Sequence, residues 1–166
     1  MADLAHLNEI SFAEAQAAFM RCCGSQRWAE MMAGLRPFAT PADLFVAADA
    51  AFANLARVDW LEAFAAHPRI GDLEVLRKKF ATTAAWCASE QSGVVEADDD
   101  VLRALADGNQ RYEERFGYLF IVCAAGKGAA EMLEMLRNRL ENAPADEFSI
   151  AAGEQALITR LRLEKL

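Results

Sequence analysis

The chain has 166 residues, 54% apolar and 25% charged, with a formal net charge of −8 and a pI near 4.8. That length suits one domain, 1–166, with a core of its own, and the composition excludes a disordered or membrane-embedded chain. The acidic balance argues against a nucleic-acid or anionic-membrane partner, yet leaves room for a small anion in a locally basic pocket.

Abundant alanine and few β-branched residues favour helix throughout. Ser11 followed by Glu14 is a capping-box pattern that predicts a helix stopping near Gly24. A short helix over Arg27 to Ala33 precedes Gly34 and Pro37. Thr40-Pro41 supplies an N-cap and a first-turn proline for a helix to about Ala56. Asp59 with Glu62 starts another, which ends just before His67 because Pro68 biases the preceding residue out of the helical region.

A stretch from Leu73 to Phe80 follows, then a helix from about Thr83 to Ser92 closed by Gly93. Asp98 to Asp100 places negative charge at the next helix start, which the dipole favours, and that helix runs to about Arg115. Tyr118 to Cys123 is a short apolar run between Gly117 and Gly126. With no second strand to pair with it, it reads as an extended linker. Two helices, Ala129 to Asn142 and Ala151 to Lys165, close the chain on either side of Pro144. The expected fold is an all-α, single-domain bundle of about seven or eight helices.

Cysteines at 22, 23, 87 and 123 form no C-x-x-C pair, and the only histidines are His6 and His67. Neither a metal site nor a disulfide framework is expected; buried free thiols in a reducing compartment are. Met1-Ala2-Asp3-Leu4 lacks the basic start of a secretory signal, and no stretch of about 18 apolar residues could span a bilayer. The terminal Glu164-Lys165-Leu166 only partly matches a peroxisomal address, so the cytoplasm is the expected location.

Four groups of residues could carry chemistry. His67 stands at a helix end in the loop His67-Pro68-Arg69-Ile70-Gly71-Asp72. There it can answer carbonyls and the helix dipole, or act as an acid/base near neutrality. Arg69 and Asp72 read as loop structure. Cys87, Glu90 and Gln91 fall one turn apart on one helical face, in a segment otherwise apolar at Ala84, Ala85, Trp86 and Ala88. Glu90 is either solvated or, facing inward, in need of a partner such as His67 or a substrate amide. Asn109 lines up with Leu102, Leu105, Tyr112 and Phe116, as a buried polar residue bracing the next turn. Arg162 has Ile158 and Leu166 as helical neighbours, nearer the packed face than Arg160, whose neighbours are Ala156 and Glu164.

Taken in order, these segments resemble the 2-oxo-4-hydroxy-4-carboxy-5-ureidoimidazoline (OHCU) decarboxylases of purine breakdown. The resemblance runs from about Ser11 to Leu166. It rests on His67-Pro68-Arg69-Ile70-Gly71, Glu90-Gln91, Asn109-x-x-Tyr112-x-x-Arg115-Phe116-Gly117, Phe120-Ile121 and Leu161-Arg162-Leu163. It implies a cofactor-free decarboxylation of OHCU to (S)-allantoin, with a homodimer as the assembly. The substrate can delocalise the charge left by departing carbon dioxide, so it is its own electron sink, and no cofactor motif is visible.

By the same resemblance His67 is the catalytic acid/base and Pro68 shapes the pocket beside it. Glu90 binds substrate and orients the reacting groups, with Gln91 next to it. Main-chain groups at Phe120 and Ile121 contact the ureidoimidazoline, and Arg162 supplies a cationic donor. Cys87 occupies a position where the family often has serine, and a thiol is the poorer hydrogen-bond partner. Two other readings stay open on the residues alone. One is a helical binding module that keeps the pocket without turnover. The other is an interaction scaffold anchored by Trp28, Trp60 or Trp86, residues more simply placed in a core.

Overall fold

The computed structural model describes residues 3–68 and 95–166, with side chains from Asp99 onward in the second stretch. The expected segments Leu73 to Phe80 and Thr83 to Ser92, with Gly93, lie outside the described residues. Eight helices are described, and no strand is found among these residues: α1 Leu4–Glu9, α2 Phe12–Cys22, α3 Gln26–Gly34, α4 Pro41–Ala53, α5 Arg57–Ala65, α6 Val95–Phe116, α7 Ala129–Leu140 and α8 Pro144–Leu163. The all-α expectation holds. No helix among the described residues is long and apolar enough to cross a membrane.

Local chemistry starts and stops these helices much as the sequence predicts. Ser11 and Glu14 form the expected capping box on α2, and Thr40 with Asp43 forms another on α4 behind Pro41. Asp59 accepts from the Ala56 N–H at 2.7 Å at the head of α5, which ends at Ala65, ahead of His67. Residues 118–123 carry no regular element, as expected of a linker.

Several boundaries differ, among them the start of α5 at Arg57, two residues ahead of Asp59. The sequence reading omits α1, a one-and-a-half-turn helix whose N-cap Asp3 accepts from the His6 N–H. α4 stops at Ala53, short of Ala56. α6 already includes Val95, so Asp98 does not open it. α8 begins at Pro144 rather than Ala151, because this proline is the first helical residue, where its missing N–H costs nothing. Asp146 and Glu147 fill the favourable acidic first turn.

The described residues group into two compact units. One holds residues up to His67 together with those from Ala151 onward; the other lies between Pro68 and Ile150. In the first, Phe19, Trp28, Met32, Leu44 and Leu163 are buried around α2, α3 and α4. Trp28 meets Phe19 edge-on at 6.0 Å and stacks on Phe52 at 5.2 Å, which stacks on Trp60 at 5.0 Å. Its indole N–H donates to the Ala48 carbonyl at 3.3 Å, so the one polar atom of that ring is satisfied in the core.

The end of α5 is fixed by close packing. A Cβ at Gly24 would lie 2.1 Å from the Ala66 Cβ, so only glycine lets the chain after α2 approach so near. Glu62 of α5 also accepts from the Gln26 N–H at 3.0 Å at the start of α3. Both contacts hold the turn that presents His67. In the second unit α6 packs on α7 at Gly108, where a Cβ would meet Leu136 at 2.6 Å.

Candidate active site

His67 follows the last turn of α5, half-buried, with its N–H donating to the Phe64 carbonyl at 3.2 Å. Its Nε2 lies 2.6 Å from Oε1 of Gln155 on α8. Gln155 is fully buried, and its side-chain N–H₂ donates to Thr159 Oγ1 at 3.2 Å. The Thr159 hydroxyl in turn donates to the Gln155 carbonyl at 2.9 Å. Gln155 and Thr159 bring no formal charge to this chain of bonds.

Thr159 also reaches the Cys23 thiol. Burial pushes both Cys22 and Cys23 up to about 11, against the opposing pull of the Arg162 guanidinium. Both are buried free thiols, as is Cys123, in line with the sequence reading. Arg162 is exposed but donates from Nη1 to the Cys22 carbonyl at 3.1 Å. Arg160 is exposed too, with its guanidinium 4.1 Å from the Phe45 ring centroid. The expected contrast in burial between these arginines is therefore absent, because the packed stripe of α8 runs through Ala151, Gln155, Thr159 and Leu163 instead.

The second unit positions the linker. Phe120 and Ile121 are buried, and the Ile121 carbonyl accepts from Arg139 Nη1 at 2.7 Å. Arg139 lies 4.6 Å above the Phe120 ring centroid. Its Nη2 is 2.6 Å from Glu147 Oε1 and its Nε donates to the same oxygen at 2.8 Å. Tyr112 donates its hydroxyl to Glu147 Oε1, and Asn142 donates to Oε2 at 2.8 Å. Burial, then the bond to Glu147, drives the Tyr112 phenol far above its ordinary range, so it remains a donor. A buried arginine carboxylate pair thus has every neighbour it needs and ties the linker main chain to α7.

The structure brings His67 and Arg162 into one unit, each tied to α2, α5 or α8 partners there. It places Pro68, Phe120 and Ile121 in the other unit. Arg69, Ile70, Gly71, Asp72, Trp86, Cys87, Glu90 and Gln91 lie outside the described residues. Asn109, expected to brace the following turn, instead donates back to the Leu105 carbonyl at 2.8 Å within its own helix. Trp28 is a core residue as expected, and Trp60 stacks beside it through Phe52.

Gln155, Thr159, Arg139 and Glu147 escape sequence reasoning. A signal existed in the four-residue spacing of Glu147, Ala151, Gln155, Thr159 and Leu163, which lays one stripe along a helix. Three of those five are polar, so an apolar periodicity does not find them. Among the described residues no cluster of three or more potential metal ligands occurs.

The fold and site define a helical domain with a histidine at a helix end bonded to a buried glutamine amide. Residues 8–164 match the family described as OHCU decarboxylase, and the chain belongs to that family. It is 40% identical over 148 residues to the uric acid degradation bifunctional protein of Arabidopsis thaliana, covering 87% of this chain and 45% of that protein. The chain therefore spans less than half the length of that relative. It is 29% identical over 131 residues to the OHCU decarboxylase of Amia calva, covering 79% of this chain and 74% of that one. A crystal structure of an OHCU decarboxylase in the presence of (S)-allantoin superposes with a TM-score of 0.69 at 36% identity, covering 89% of this chain and 94% of that chain. A crystal structure of an (S)-allantoin synthase has the same TM-score at 19% identity over 99% of this chain and 54% of that one, a likeness of fold.

Proposed function

We propose that this chain decarboxylates OHCU to (S)-allantoin, using His67 as acid/base and no cofactor. The observation that carries the proposal is His67 itself, fixed at the end of α5 on buried Gln155, in a chain that belongs to this family. In the proposed step the bond from the ring carbon to its carboxylate breaks and carbon dioxide leaves. The electron pair passes into the adjoining unsaturated ring system, which is why no external electron sink is required. A proton adds to the ring nitrogen that receives the pair. The resulting enol then takes a second proton on the ureido-bearing carbon from one face as its hydroxyl gives one up to become a carbonyl, a net uptake of one proton. His67 moves these protons.

Arg162 acts on charge that develops as carbon dioxide departs. Gripping the carboxylate equally before and during the step would not accelerate it. Glu90 and Gln91, with Cys87 one turn away, orient the ureido N–H groups, and main-chain groups at Phe120 and Ile121 complete the contacts; these roles rest on the family resemblance. Pro68 shapes the wall beside the imidazole. We also assign a homodimer in the cytoplasm with no nucleic-acid partner, in keeping with the acidic charge and the family. The test mixes urate, urate oxidase and hydroxyisourate hydrolase with this protein and follows the product by circular dichroism. Faster formation of optically pure (S)-allantoin is the expected result; an unchanged rate of racemic product would refute the proposal.

A further inference from the structure

We infer that Gln155 is a positioning residue that holds His67 in the Nε2–H tautomer, with Thr159 fixing the direction of the amide. The inference deepens the proposed acid/base role of His67 and rests on that reading for its catalytic meaning. The protons along one chain of bonds can be counted. A threonine hydroxyl has one hydrogen, and that of Thr159 has the Gln155 main-chain carbonyl at 2.9 Å and the Cys23 sulfur as its acceptors. Toward the Gln155 side chain, Thr159 can then only accept. The group facing it at 3.2 Å must therefore be the amide N–H₂.

The other end of the amide, Oε1, consequently faces His67 Nε2 at 2.6 Å. An oxygen cannot donate, so the hydrogen in that contact sits on the imidazole. In the neutral ring Nδ1 is then the nitrogen without a hydrogen. Gln155 and Thr159 are both fully buried, so neither water nor a rotamer change offers the amide an inexpensive alternative. Gln155 accepts without carrying charge, so this bond orients the imidazole without the bias toward imidazolium that a carboxylate in the same place would add. It does not touch the reacting atoms.

Nitrogen-15 NMR of histidine-labelled protein tests this, and with only His6 and His67 in the chain the signals are assigned by a His6→Asn variant. His67 in its neutral form should show a pyrrole-type Nε2 and a pyridine-type Nδ1. Gln155→Met keeps the length of the side chain and removes the acceptor. It should move the tautomer population toward Nδ1–H and lower kcat roughly 10- to 100-fold with KM little changed, the scale of losing a group that orients a reactive imidazole. Gln155→Glu restores an acceptor and should restore the Nε2–H pattern, which keeps the test decisive if the methionine variant folds poorly. A pyridine-type Nε2 in the wild-type protein, or a tautomer indifferent to both substitutions, overturns the inference. The spectrum requires no substrate, so a wild-type protein lacking decarboxylase activity but showing the predicted tautomer would sink the functional proposal and leave the positioning role standing.

Discussion

Each compact unit contains a buried polar network, and the two networks differ in composition. In the residue 68–150 unit, Arg139 and Glu147 are a paired, desolvated arginine and carboxylate, with Tyr112, Asn142 and the Ile121 carbonyl completing their bonds. In the other, the described bonds run from His67 through the uncharged side chains of Gln155 and Thr159 to Cys23. A paired buried charge fixes one arrangement, because removing either partner strands the other. A neutral network tolerates a change of protonation at one member. The first suits a scaffold for the Phe120-Ile121 linker; the second suits the proton exchange proposed for His67.

The contrast can be broken experimentally. Glu147→Ala leaves the Arg139 guanidinium buried without its carboxylate and should cost about 3–5 kcal/mol in urea denaturation. The matching cut in the neutral network, Thr159→Val, should cost only about 1 kcal/mol. Equal losses would erase the distinction drawn between the two networks.

The buried thiols give the next effect. Burial lifts Cys22 and Cys23 from 9.0 to about 11 in the folded protein. The unfolded chain therefore loses these protons first. Their contribution to stability is complete below pH 9 and disappears as pH rises toward 11. Denaturation midpoints measured over that window should fall, and the fall should flatten in a Cys22→Ala/Cys23→Ala variant. A wild-type profile no steeper than that of the double variant would contradict the burial assigned to them.

Gly24→Ala probes the packing that holds the end of α5. Its Cβ would lie 2.1 Å from Ala66, so the turn must shift at a cost of about 1–3 kcal/mol. Because His67 follows that turn directly, turnover should drop beyond what the stability loss explains. A variant as stable and active as wild type would show that the close approach does not position the histidine.

Most of the fold is legible in the sequence because capping chemistry is local. Ser11 with Glu14, Thr40-Pro41 and His67-Pro68 each fix a helix end through residues within one turn. Pro144 misleads because a proline that starts a helix and one that separates two look alike until the partners downstream are known. The roles proposed for His67 and Arg162 come from their order in a family pattern, not from periodicity. Gln155 is invisible for a physical reason: a buried amide on a helix has the sequence appearance of a solvated one, and its partner is 88 residues away. Arg139 is hidden in the same way, its ties to Glu147, Tyr112 and Ile121 being tertiary.

The central claim is that His67 handles the proton in a site whose scaffold is independent of it. His67→Asn tests this in the coupled urate assay, with far-ultraviolet circular dichroism and urea denaturation on the same preparation. The account predicts a loss of enzymatic (S)-allantoin formation by about 10²- to 10⁴-fold, the scale of general acid/base catalysis, with the helical spectrum retained. A folded His67→Asn protein that still forms optically pure (S)-allantoin at near wild-type rate would contradict it.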